Sequence, residues 1–114
     1  MTEVKERQIQ LAKDIWILGE YMSNPAISLH HREHEILLKL FDKFAVGRDE
    51  KITYYYELAL KELENHGEIL LMTLSRLRNF VHEFLKENGI DTENDTLQTR
   101  EYNVSTIIEG NLPI

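Results

Sequence analysis

The sequence predicts an α+β domain, with three helices in the middle of the chain and a short β-hairpin at its end. Three observations lead there. Apolar residues recur at helical spacing from Ile36 to Phe44 and again from Leu70 to Phe84. Glycines stand at positions 47, 67 and 89, where those helices would stop. The segment "TLQTREYNVSTII" (96–108) is rich in Thr, Tyr, Val and Ile and alternates as a hairpin does.

The first 29 residues are open to two readings. "IQLAKDIWILGEYMSNPAISL" can be drawn as an amphipathic helix through Leu11, Ile15, Leu18 and Met22. It can equally be drawn as short strands around Ile9–Leu11, Ile15–Leu18, Glu20–Ser23 and Ala26–Leu29. The Asn24-Pro25 turn and the β-branched and aromatic run "IWIL" lean toward strands, with Trp16 packing beneath the sheet. The next element is a helix over His31–Ala45. Its stripe is Ile36, Leu37, Leu40, Phe41 and Phe44, with Glu33 at the capping-box position after His30 and Gly47 ending it. A second helix follows a Thr53 N-cap over about Tyr54–Leu63. Three consecutive tyrosines, Tyr54, Tyr55 and Tyr56, point in three directions from it, so at least one belongs to the core. A mid-helix glycine costs about 1 kcal/mol relative to alanine, so the chain breaks near Gly67, although one helix from Thr53 to Glu87 is the rival drawing.

The third helix, about 68–88, carries a seam of Leu70, Leu74, Leu77, Val81 and Phe84. Its opposite side collects Met72, Ser75, Arg76, Asn79, Glu83 and Lys86, flanked by Ile69 and Thr73, and Gly89 caps its end. The terminal hairpin turns near Glu101–Asn103.

One domain fits 114 residues of which 42% are hydrophobic. The absence of cysteine excludes disulfide scaffolds, Cys-ligated zinc and thiol catalysis. No membrane span or leader composition is present, which predicts a cytoplasmic protein with no membrane partner. With 13 basic and 20 acidic residues and a net charge of -7, the chain is no generic nucleic-acid coat. The acidity is uneven, however. Residues 68–86 hold three basic and two acidic side chains, against one and six in 87–114.

The order of these elements, with "ISLHHREHEILLKLF", "LSRLRNFV", "LKENGI" and "LQTREYNV" in sequence, resembles the OmpR/PhoB-type winged helix-turn-helix effector domain of response regulators. The resemblance spans roughly 9–108. It implies a β platform over 1–29 as a small antiparallel sheet, a three-helix core over 30–89, and a wing and tail over 90–114. It further implies sequence-specific binding of double-stranded DNA as the output domain of a two-component transcriptional regulator. The recognition helix would enter the major groove and a wing at about 96–108 the minor groove. Paired copies would sit on direct repeats, with RNA polymerase as a further partner. On this resemblance Thr73 and Arg76 meet DNA from the helix, Arg78 meets phosphate, and Arg100 and Tyr102 lie on the wing. Asn79 shares the outer face, and Ile69 and Met72 open the helix toward thymine methyls or toward another protein. The chain departs from the family at "EILLMT", where Glu68 replaces a basic residue, and in the missing wing glycines of "TREYNV". A second reading is therefore a protein-binding module with weak or no DNA binding.

Other chemistry is thinly represented. His30 with His34, and Glu62 with His66, have i, i+4 ligand spacing but lack a third ligand, so neither a metal nor a cofactor is expected. Arg76 and His82 resemble the Arg-x4-6-His element of HEPN-type ribonucleases. Leu77 stands where that family has a polar residue, and no nucleophile and base accompany the pair, so the sequence predicts no enzyme.

Overall fold

A computed structural model of the chain describes residues 2–23, 31–45, 50–90, 92 and 100–110. Five helices occur there, and no strand occurs among the described residues. The α+β expectation is thus overturned at both ends. Residues 2–22 form one helix, α1 (Thr2–Met22), in place of a sheet, and the expected hairpin turn lies inside α5 (Arg100–Gly110). The expected strand at Ala26–Leu29, the His30 cap and Gly47 lie outside the described residues.

The reason α1 reads ambiguously is its central position. It packs against α2 (His31–Ala45), α4 (Leu71–Glu87) and α5, so its buried arc is wide. Ile15, Ile17 and Leu18 are all buried along with Ala12 and Met22. A helix covered on several sides loses its clean 3.6-residue period. Burial of both Ile15 and Ile17 then imitates the alternation of a strand. In α5 the buried pair is Val104 and Ile107, three residues apart and hence on one helical face. Packing on α1 overrides the β-propensity of "YNVSTII".

The middle of the chain follows its sequence closely. α2 has the expected bounds and buries the expected stripe, together with Leu38. α3 (Glu50–His66) starts ahead of Thr53, which is therefore inside the helix and not its cap. Tyr55 and Tyr56 pack against the core while Tyr54 is exposed. Gly67, at φ +75°, turns the chain between α3 and α4, a left-handed conformation that glycine adopts without penalty. At the far end of α4 the Ile90 amide donates to the Leu85 carbonyl (2.9 Å) and the Gly89 amide to that of Lys86 (3.1 Å). With Gly89 at φ +76°, this is a Schellman cap.

α3 lies against α2 and α4, which closes α1 to α4 into a ring of neighbours with α5 outside on α1. The enclosed core is formed by Ile15 and Leu18, by Leu37, Phe41 and Phe44, and by Leu74, Leu77, Val81 and Leu85. Two expected members of the α4 seam shift. Leu70 is 42% exposed and Phe84 only half-buried, while Leu85 takes the interior place.

Candidate interaction surface

The turn between α3 and α4 is held by side chains from two helices. Leu70, the residue that caps α4, offers no side-chain acceptor to the free amides of that helix start. Glu62 of α3 supplies it from a distance. The Leu70 amide donates to its Oε1 (3.0 Å) and the Thr73 hydroxyl to its Oε2 (2.7 Å). The preceding amide, that of Ile69, donates to Nδ1 of His34 on α2 (3.2 Å), which puts the ring proton on Nε2. Glu62, His34 and Thr73 are all buried, so these acceptors compete with little water.

A firmly anchored turn therefore presents apolar side chains outward. Leu71 is 68% and Met72 76% exposed, and both adjoin the partly exposed Leu70. Glu64, on the last turn of α3, and Glu68 are exposed beside them in the chain. The outer stripe of α4 continues through Ser75, Arg76, Asn79, Glu83 and Lys86, all exposed.

The sequence-derived site residues separate into three groups. Met72, Arg76 and Asn79 share the outer stripe. Ile69 and Thr73 are buried and spent on anchoring the turn, and Arg78 turns inward against α1. Arg100 and Tyr102 stand in the first turn of α5 and not on a wing.

The inward course of Arg78 explains a glycine in the middle of α1. A Cβ on Gly19 would lie 2.9 Å from both Cγ and Cδ of Arg78. The guanidinium carbon sits 4.1 Å from the Trp16 ring centroid, a cation–π distance, and its Nη2 is 3.9 Å from the Glu20 carboxylate. Burial pulls the Arg78 pKa below its ordinary value, an effect the Glu20 charge opposes. Among the described residues neither Arg78 Nε nor Trp16 Nε1 has a hydrogen-bond partner. On the same side His82 packs on Trp16 (ring centroids 5.3 Å), with its Nδ1 3.2 Å from the Thr92 hydroxyl.

Gly19→Ala is expected to expel Arg78 while changing stability by no more than about 1 kcal/mol. The gain in helix propensity, about 1 kcal/mol, is offset by loss of a partly desolvated cation–π contact of similar size. The only tryptophan of the chain reports the event, and a changed emission at nearly constant stability is the expected result. Unchanged emission with a full gain in stability would mean that Arg78 has no fixed place on the indole.

His34 and Glu62, singled out in the sequence for their ligand spacing, do meet at one turn, but as acceptors for backbone amides. That role left no local signal, because Glu62 acts eight residues ahead of Leu70 and His34 thirty-five ahead of Ile69. Among the described residues no group of three His, Cys, Asp or Glu side chains is placed to hold a metal ion. No described helix is long and apolar enough to cross a membrane.

No protein-family model, curated protein or solved structure matches the chain. The resemblance to response-regulator effector domains accordingly rests on its short motifs alone, without the sheet and wing that gave them their order.

Proposed function

We propose that the chain is a non-enzymatic interaction module that binds a basic amphipathic segment of another protein at the start of α4. The observation that carries this is the exposure of Leu71 and Met72 on a turn fixed by Glu62 and His34. A turn whose backbone is already fixed loses little further freedom when a partner covers its apolar side chains, so more of their burial is retained as affinity. The sign of the partner's charge follows from Glu64 and Glu68 beside the turn and from the net charge of -7. The same charge opposes docking of a second copy.

Selection from a displayed random peptide library tests the proposal. Enriched peptides are expected to combine Leu, Ile or Phe at helical spacing with Lys or Arg, and to bind the Leu71→Ser/Met72→Ser variant at least about tenfold more weakly. Both positions are exposed, so the variant should keep its fold. Enrichment of acidic or uncharged peptides, unchanged binding by the variant, or concentration-dependent self-association through these residues would each overturn it.

A second reading has its own observation. α3 and α4 are joined through only residues 67–70, with Gly67 in the turn, a connection of the kind that helix-turn-helix units use. Met72, Arg76 and Asn79 would then read double-stranded DNA, with paired copies on direct repeats and RNA polymerase as a further contact. Loss of Arg78 to the interior and the presence of Glu68 and Glu83 weaken this alternative. Enrichment of one sequence from a random DNA pool, lost in Arg76→Ala, would favour it over the peptide reading.

A further inference from the structure

Next to the apolar turn along α4, a cleft of about 440 Å³ opens between the first turns of α3 and the middle of α4. That volume lies within the range of small-molecule sites. Its apolar wall is a chain of aromatic rings. Tyr54 meets Tyr55 edge-on at 5.1 Å, and Tyr55 meets Phe80 at 5.8 Å. The rim is polar: Lys51 on α3 and Arg76 on α4 supply cations, Asn79 an amide, and Glu50 a carboxylate. Arg76 and Asn79 are both exposed.

We propose that this cleft binds a nucleotide. A flat base fits against the aromatic wall, where every base has a π-face to offer. Asn79 presents the paired donor and acceptor that match the N6/N7 edge of adenine. Arg76 and Lys51 supply the positive charge a phosphate needs, with Arg76 capable of forked contact. Glu50 can accept a hydrogen bond from a sugar hydroxyl. The shared chemistry is one nucleotide, whether free or part of a single strand. This inference is independent of the apolar turn, whose residues do not line the cleft.

Calorimetric titration of the full chain with AMP, adenosine, inorganic phosphate and a short oligo(dA) tests it. AMP is expected to bind saturably and at least about tenfold more tightly than adenosine or phosphate. Arg76→Ala should abolish that preference, and Tyr54→Ala should weaken AMP several-fold. Both side chains are exposed and outside the core, and Leu71→Ser/Met72→Ser should leave AMP binding unchanged. Saturation by AMP identifies a free nucleotide as ligand. Saturation by oligo(dA) alone, with the same response to Arg76→Ala, assigns the same chemistry to a single strand. No saturation by either up to about 5 mM, or binding indifferent to Arg76, overturns the proposal.

Discussion

Phe44→Ala is expected to destabilise the domain by about 3–5 kcal/mol, the range for removing a buried phenylalanine. The ring is 1% exposed and packs against Phe41 and Phe84. It lies 5.9 Å from Phe41 on its own helix and meets Phe84 of α4 edge-on at 5.1 Å and 85°. Phe41 in turn stacks on Tyr56 of α3 at 6.2 Å, so the cluster joins α2, α3 and α4. Truncation removes the transfer energy of the ring and leaves a cavity that three helices can close only in part. Phe84 is half-buried and can move inward, which places the expected value nearer the lower end. Domains of this size have total stabilities of about 5–15 kcal/mol, so the variant should show a large drop in urea midpoint at unchanged slope. A loss below about 1 kcal/mol would mean that α2 and α4 are not joined through this ring.

The same cluster shows where the sequence was legible. α2 has solvent on one side and the core on the other, so its stripe declares itself at Ile36, Leu37, Leu40, Phe41 and Phe44 and its bounds follow. The two helix stops at Gly67 and Gly89 were equally readable, because a left-handed residue at a helix end is a local requirement that glycine meets. α1 and α5 were not. α1 owes its apolar surface to three neighbouring helices, and local alternation cannot distinguish that from a half-buried strand. α5 is rich in β-branched residues and becomes helical in contact with α1.

Thr73 and Arg78 leave the expected outer face for a related reason. α4 is flanked by both α1 and α3, so its buried arc extends beyond one seam to Thr73 on one side and Arg78 on the other. An arginine beside an apolar seam reads as solvent-facing when no partner is known. Only the glycine at position 19 records that the Arg78 stem crosses α1 there. Met72, Arg76 and Asn79 do stand on the exposed face, with Arg76 and Asn79 on its side toward α3.

Glu62→Ala should produce the other large effect, a loss of about 2–4 kcal/mol, and it connects the fold to the proposed surface. Glu62 is buried and accepts from both the Leu70 amide and the Thr73 hydroxyl. Hydrogen bonds to a charged acceptor contribute about 1.5–3 kcal/mol each, and deletion leaves two donors without their partner. Partial entry of water at the half-exposed turn offsets some of that sum. Glu62→Gln keeps one carbonyl oxygen for the Leu70 amide and should lose only about half as much. Thr73→Val separates the two bonds: combined with Glu62→Ala it should cost less than the two single changes added together, since they delete a shared contact. Hydrogen exchange at the Leu70 amide should accelerate in Glu62→Ala before global unfolding does. If peptide affinity then falls with Leu71 and Met72 intact, the rigidity of the turn contributes to binding. If affinity is unchanged while exchange accelerates, exposure of the two side chains is sufficient and their pre-organisation is incidental.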